Sequence, residues 1–139
     1  MTSNSKAQGD ETEARIISRF IANGYSVSIP FGDNDKCDLL VDDGTRLYRV
    51  QCKTAWQNKP QTIRFNTHSQ TTKNGSYYEQ TYDDAVDAFC VRYPETDRLY
   101  WILIDEATKQ KMELRFESSV DHPSINWATD YEFDGHIPE

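Results

Sequence analysis

The spacing of apolar residues near the N-terminus predicts an amphipathic helix over residues 10–23. Its apolar positions are Ala14, Ile16, Ile17, Phe20 and Ile21. Gly24 follows where a helix commonly ends. Glu13 lies near the predicted start of the helix and along its apolar stripe. It is therefore expected either to contribute a carboxylate to an interior site or simply to interact favourably with the helix dipole.

Alternating and continuously apolar segments predict that most of the remaining chain is β-sheet. Strands are expected at residues 25–29, 36–42, 45–53, 62–65, 88–93, 99–104 and 112–116. The polar stretch 59–76 is expected to be mostly loop outside its one strand, with His68 and Lys73 in that loop. No repeat or linker divides the 139 residues, so residues 1–139 are expected to form a single domain.

The dipeptide Asp43-Gly44 between two predicted strands indicates a tight hairpin, because a type I′ turn needs positive φ at both central positions. A two-residue turn here would place Asp38 directly opposite Arg49. The purely structural interpretation of that arrangement is a cross-strand ion pair between these two residues.

Period-two alternation along the second strand of the hairpin places Arg49, Gln51 and Lys53 on one face. Directly opposed residues share a face, so Asp38 is expected to join them. The pattern thus predicts a carboxylate, an amide and an ammonium on one side of the hairpin. A slip of one residue in the register would remove Asp38 from this group.

The net charge of −8 argues at first against a nucleic-acid partner, but the distribution of charge reverses that impression. Residues 45–78 contain no Asp or Glu and six cations: Arg46, Arg49, Lys53, Lys59, Arg64 and Lys73. A basic segment on an acidic chain favours a polyanionic partner. The candidate DNA-contacting residues are Arg49, Lys59, Arg64, His68 and Lys73.

Targeting signals are not evident, so a cytoplasmic location is expected. The first residues are polar and lack an apolar signal core. No apolar run approaches the roughly 20 residues that span a bilayer. Cys37, Cys52 and Cys90 show no CxxC spacing, which favours reduced, buried thiols.

The residues gathered on the hairpin have the chemistry that phosphodiester hydrolysis requires. A divalent cation, Mg²⁺ or alternatively Mn²⁺, can neutralise phosphoryl charge and activate water when a few oxygen atoms hold it. Asp38, Gln51 and the backbone carbonyl of Cys52 are the expected ligands. Lys53 would orient the water or stabilise developing negative charge. Glu13 would bind a water on the metal or complete a second metal site.

The order of these residues resembles the PD-(D/E)XK nuclease superfamily. Glu13 comes first, within Gly9-Asp10-Glu11-Thr12-Glu13, which is similar to the first-helix motif of that superfamily. The segment from Pro30 to Asp38 follows, and then residues 50–55, which read Val-Gln-Cys-Lys-Thr-Ala. The last segment resembles the VQxKTA strand of the group I intron-associated homing endonucleases. Residues 86–94, 100–101 and 125–128 are similar to archaeal members of this branch.

This resemblance covers nearly the whole chain and implies a fold and an activity. The fold is α/β and restriction-endonuclease-like, a mixed β-sheet with flanking helices. The activity is that of a metal-dependent endodeoxyribonuclease, with Glu13, Asp38, Gln51 and Lys53 as catalytic residues. Because so small a domain offers one active site and duplex cleavage needs two, a homodimer or homotetramer is expected.

Two departures from the superfamily pattern leave alternatives open. Gln51 stands where an acidic residue usually precedes x-Lys, and Pro30 does not abut Asp38. Glutamine at this place is compatible with cleavage in the intron-encoded branch, but it would also fit a catalytically inactive, nuclease-derived DNA-binding module. A Holliday-junction resolvase, acting on branched DNA, is the nearest alternative nuclease. RNA is a further alternative substrate, since phosphate contacts alone do not distinguish it from DNA.

Overall fold

The computed structural model describes residues 5–32, 37–73, 76–81 and 85–138, with side chains for residues 6–32, 37–68 and 85–138. The described elements are α1 (Ser5–Ala22), β1 (Ser26–Ser28), β2 (Leu39–Asp42), β3 (Leu47–Thr54), β4 (Trp56–Lys59), β5 (Thr62–Asn66), β6 (His68–Lys73), β7 (Ser76–Thr81), β8 (Ala88–Tyr93), β9 (Arg98–Leu103), β10 (Lys111–Arg115) and β11 (Glu132–Phe133). Short 3₁₀ helices cover Ile104–Glu106 and Ala128–Asp130. Among the described helices, none has the length and apolarity to cross a membrane.

The central element is a six-stranded sheet in the order β1-β2-β3-β8-β9-β11. Strands β3 and β8 are parallel, and the other neighbouring pairs are antiparallel. The predicted mixed sheet of an α/β, restriction-endonuclease-like fold is therefore confirmed. Helix α1 covers one face, where Ile16 and Phe20 are fully buried in one apolar cluster with Val50 of β3.

The other face of the central sheet is covered by a second sheet rather than by a further α-helix in the described residues. This sheet has the order β10-β5-β4. Alternate residues of β5 and β10, such as Phe65 and Leu114, are fully buried in one apolar cluster with Phe89 of the central sheet. Period-two burial on both strands explains this arrangement, because each strand presents one apolar face to the core.

Helix α1 begins earlier than the apolar pattern predicts. It starts at Ser5. The apolar pattern did not reveal these first turns because their residues are mostly polar. Gly24, with φ of 88°, follows its end as expected. Glu13 therefore lies in the middle of the helix, and the interpretation of Glu13 as a first-turn carboxylate beside the helix dipole is wrong.

The hairpin between β2 and β3 is present, but its turn is longer than predicted. Asp42 pairs with Leu47, which leaves a four-residue loop. The Asp43 side chain makes this loop stable, because its Oδ1 accepts hydrogen bonds from the backbone N–H groups of Thr45 and Arg46 at 2.8 and 2.6 Å.

The longer loop moves the register by two residues. Leu40, not Asp38, is opposite Arg49, and Leu39 is opposite Val50. Continuing this register by one residue places Asp38 level with Gln51. An even shift preserves the faces of both strands, so the predicted grouping survives although the predicted partner was wrong.

The polar stretch 59–76 contains more strand than predicted. β4 ends at Lys59, and β6 and β7 form a two-stranded sheet in which His68 pairs with Thr81. The interpretation of His68 and Lys73 as loop residues is therefore wrong. These strands carry few apolar residues, so alternation gave no signal for them.

Candidate active site

Strand β3 carries the two motif side chains on the face opposite the helix. Val50 and Cys52 pack in the cluster beneath α1. Because side chains alternate along a strand, Gln51 and Lys53 project from the other face. Both residues are partly buried.

Asp38 is held against β3 by two hydrogen bonds. Its backbone N–H donates to the Val50 carbonyl oxygen at 2.8 Å. Its Oδ2 accepts a hydrogen bond from the Cys52 N–H at 3.0 Å. The N–H and C=O of one strand residue point to the same edge, so the Cys52 carbonyl is directed toward the side on which Asp38 lies.

The amide oxygen of Gln51 is buried and has no hydrogen-bond partner among the described residues. A buried polar atom without a partner costs about 1–3 kcal/mol, so its presence calls for an explanation. Oxygen atoms of carboxylates, amides and carbonyls are the ligands that Mg²⁺ and similar hard cations prefer. Asp38, Gln51 and the Cys52 carbonyl therefore fit a divalent cation.

The described residues contain no group of three His, Cys, Asp or Glu side chains that could hold a metal ion. A cation at this place would therefore depend on the neutral amide and carbonyl oxygens in addition to carboxylates. Such a donor set suits a hard cation that keeps several waters.

The electrostatics show that Asp38 and Lys53 are neighbours. Burial raises the pKa of Asp38, while the Cys52 N–H and the Lys53 ammonium oppose that effect. Burial lowers the pKa of Lys53, and the Asp38 carboxylate opposes that effect. Both groups are thus less stable in their charged forms than they would be in water, which is a common property of catalytic groups.

Glu13 approaches the same site from helix α1. Burial raises its pKa, and the nearby carboxylates of Asp38 and Asp10 raise it further. Glu13 is therefore close enough to interact electrostatically with Asp38. Of the four residues that the sequence singled out for catalysis, three therefore share one face of the hairpin and Glu13 lies within electrostatic range of Asp38, although their chemical roles stay predictions.

The sequence assigned no role to Thr12 or Thr54, which meet beside this site. Thr12 is 1% exposed, and its Oγ1 lies 2.8 Å from Oγ1 of Thr54. A signal for Thr12 was available. It is spaced by four from Ile16 and by eight from Phe20, so it is a polar residue on the buried stripe of the helix.

Arg49 is paired with Asp87, the residue just before β8. Its Nη2 lies 3.2 Å from Oδ1 of Asp87, and its backbone N–H donates to Oδ2 at 2.8 Å. Burial raises the pKa of Asp87, but the hydrogen bonds from Arg49 outweigh it and lower the pKa overall. The predicted direct opposition of Asp38 and Arg49 is not found.

The other candidate DNA-contacting residues differ in their surroundings. Lys59 is exposed at the end of β4. Arg64 is partly buried, with Nε 3.5 Å from Oε1 of Glu113. His68 is only 8% exposed, and its Nδ1 lies 2.8 Å from the Gln110 carbonyl oxygen. The side chain of Lys73 lies outside the described ones, although its backbone ends β6.

Comparison with known proteins agrees with this geometry. The chain is similar to a solved structure titled as a bacterial homing endonuclease, I-Ssp6803I, with a TM-score of 0.78 and 20% identity over 94% of this chain and 89% of the other. At that identity the likeness concerns the fold. No curated protein matches the sequence. A model of the PD-(D/E)XK endonuclease family matches residues 3–134, nearly the whole chain, and the protein therefore belongs to the PD-(D/E)XK endonuclease family.

Proposed function

We propose that this protein is a Mg²⁺-dependent DNA endonuclease that cleaves phosphodiester bonds. The observation that carries the proposal is the buried, unpaired amide oxygen of Gln51, level with Asp38 and on the same face as Lys53. An inactive descendant would have no need to keep a buried oxygen without a partner, because an apolar side chain would remove the cost.

The chain's own residues suggest how the reaction proceeds. When bound, Mg²⁺ would supply charge neutralisation on the phosphate and lower the pKa of a coordinated water. Asp38, Gln51 and the Cys52 carbonyl would hold it, with the Cys52 N–H keeping the Asp38 carboxylate oriented. The Lys53 ammonium would donate hydrogen bonds to the attacking water and to the phosphoryl oxygen that gains charge.

Glu13 would accept a proton or complete the ligand set from the opposite side. Its raised pKa makes the carboxylate a stronger base than an exposed glutamate, which suits a group that removes a proton from water. The distance from α1 to β3 is maintained by the Thr12–Thr54 contact beside it.

The DNA would lie along the basic segment, which continues from β3 into β4 and β5. Trp56, three residues after Lys53, is 39% exposed and pairs with Arg64 on the neighbouring strand. Lys59 is exposed at the end of β4. The two-stranded β6–β7 ribbon has a width that the major groove accepts.

We infer that the active enzyme is a homodimer or homotetramer in the cytoplasm. Each chain offers one set of Asp38, Gln51 and Lys53, and cutting both strands of a duplex requires two such sets. Light scattering of the purified protein, with and without DNA, would measure the state directly.

Among nuclease substrates, duplex DNA is proposed over branched DNA because the fold is similar to that of a homing endonuclease. The test is incubation with plasmid, matched linear and four-way-junction DNA, single-stranded DNA and RNA. Each substrate is tested with Mg²⁺, with Mn²⁺ and with a chelator. Metal-dependent cutting of plasmid is expected, and preference for the junction would instead favour a resolvase.

Matched variants distinguish cleavage by this protein from cleavage by a contaminating nuclease, and from DNA binding without cleavage. Asp38→Ala and Lys53→Ala should abolish cleavage while largely sparing DNA binding. Asp105→Ala and Lys109→Ala change the same residue types at exposed positions and should cut normally. Binding without any metal-dependent cutting by the unaltered protein would contradict the proposal and leave a DNA-binding module.

A further inference from the structure

Consecutive residues of helix α1 contact neighbouring strands of the central sheet. Glu11 meets Arg92 at the end of β8, with Oε1 3.4 Å from Nη2. Thr12 meets Thr54 at the end of β3. Thr54 and Arg92 are register partners on these parallel strands, so the two contacts lie side by side. The next residue of the helix is Glu13.

Arg92 belongs to a closed ring of four charged side chains. Its Nε donates to Oδ1 of Asp97 at 2.7 Å. Arg15 contacts the other oxygen of Asp97 at 3.2 Å and the Glu11 carboxylate at 3.6 Å. Two of the four residues belong to α1, and Asp97 belongs to the β8–β9 turn. The ring therefore joins the helix to the sheet on the side of Glu11.

The burial of Arg92 makes this ring different from a surface ion pair. The Arg92 side chain is 5% exposed, and its Nη1 is buried without a hydrogen-bond partner among the described residues. A guanidinium in such a place is costly unless its partners hold it, so the buried Arg92 depends on the carboxylates of Glu11 and Asp97. Two carboxylates from two different elements are held in this way.

We propose that Arg92 is a positioning residue of the candidate active site, which fixes the position of helix α1 along the sheet and thereby the placement of Glu13 relative to Asp38. The inference rests on the proposed nuclease function. Arg92 does not touch the reacting atoms. It acts through the helix, and the Thr12–Thr54 contact fixes the same segment between Arg92 and the site.

The test compares Arg92→Met with Arg98→Met. Arg98 is on the neighbouring strand β9 and is ion-paired with Glu132, but its side chain is 62% exposed and its ion pair does not involve α1. With DNA and Mg²⁺ saturating, Arg92→Met should lower kcat roughly 10-fold, as loss of a supporting contact commonly does, with KM little changed. Arg98→Met should leave both constants unchanged.

A double variant shows whether Arg92 acts through Glu13. If it does, adding Arg92→Met to Glu13→Gln should cause no further fall in the single-turnover rate. An equal fall in both backgrounds would overturn the proposal. If Arg92→Met does not fold, Asp97→Asn can replace it in these experiments. Asparagine tolerates the φ of 57° at position 97 but removes the charge that Arg92 contacts.

Hydrogen exchange of the metal-free protein gives a readout that does not need activity. Arg92→Met should lower the protection of the α1 amides around Glu13, whereas Arg98→Met should not. Unchanged protection together with unchanged kcat would overturn the positioning role. Absence of metal-dependent cleavage by the unaltered protein would instead remove the proposed function, and the exchange experiment would still report on the helix.

Discussion

The hydroxyl oxygens of Thr12 and Thr54 lie 2.8 Å apart and join helix α1 to strand β3. Thr12 immediately precedes Glu13, and Thr54 immediately follows Lys53. A hydrogen bond between two side chains therefore links directly the two elements that supply the carboxylate and the ammonium of the candidate site.

Thr12→Val should weaken both the fold and the cleavage reaction. It leaves the Thr54 hydroxyl without its partner, which we expect to lower the free energy of unfolding by about 1–2 kcal/mol. Urea unfolding measures this loss. In the double variant Thr12→Val/Thr54→Val both hydroxyls are absent, so the loss should be smaller than the sum of the single losses. Additive losses would show that the two hydroxyls do not interact.

Gln51→Met should separate stability from function. It removes the buried, unpaired amide oxygen with little change in volume, so thermal stability should be equal or higher. Cleavage should fall roughly 100-fold or more because a metal ligand is lost. A variant that still cut at the normal rate would show that Gln51 does not bind the cation.

Gln51→Glu restores the acid that is usual at this place in the superfamily. A second carboxylate beside Asp38 should tighten binding of Mg²⁺, which isothermal titration calorimetry would measure. In the metal-free protein the same change should lower stability, because two like charges would be close in a partly buried place. Unchanged metal affinity would argue that the residue at position 51 points away from the cation.

Asp38→Asn and Asp97→Asn should have opposite effects on stability near neutral pH. Burial raises the pKa of Asp38, so its charge destabilises the folded state above that pKa. The hydrogen bond from Arg92 lowers the pKa of Asp97, so its charge stabilises the folded state above the ordinary aspartate pKa. Asp38→Asn should therefore raise the metal-free Tm by a few degrees, and Asp97→Asn should lower it.

The pH dependence of the two changes in Tm shows whether they arise from charge. The stabilisation from Asp97 is lost as the pH falls through its lowered pKa, and the cost of Asp38 disappears as the pH falls below the ordinary aspartate pKa. Both variants should approach the unaltered protein in acid. A difference in Tm that does not change with pH would trace the effect to packing instead of charge.

Lys59→Ala should weaken DNA binding without a large effect on kcat. Loss of one phosphate contact lowers the slope of log affinity against log salt by about 1. Arg98→Ala, which removes an exposed but ion-paired cation on β9, is the matched control and should leave the slope unchanged. Equal slopes for all three proteins would place the DNA away from β4.

The sequence alone determined the elements that carry an apolar pattern and the faces on which their side chains lie, but not β4, β6 and β7, which carry few apolar residues. Alternation on β3 separated Gln51 and Lys53 from Val50 and Cys52, because this property depends only on strand geometry. The grouping with Asp38 survived a register error, since a shift of two residues does not change the face. The order of Glu13, Asp38, Gln51 and Lys53, together with the motif at residues 50–55 and the similar later segments, predicted the family that the chain matches.

Only the tertiary structure decided how distant elements meet. The pairing of Arg49 with Asp87 spans 38 residues, and the contact between Thr12 and Thr54 spans 42. The pattern of apolar and polar residues along the chain does not indicate which residues this far apart in sequence come into contact. The same holds for the second sheet that covers the face opposite α1, and for the burial that leaves the Gln51 oxygen without a partner. Periodicity specifies which side of a strand is apolar, but the packing of whole elements determines what that side contacts.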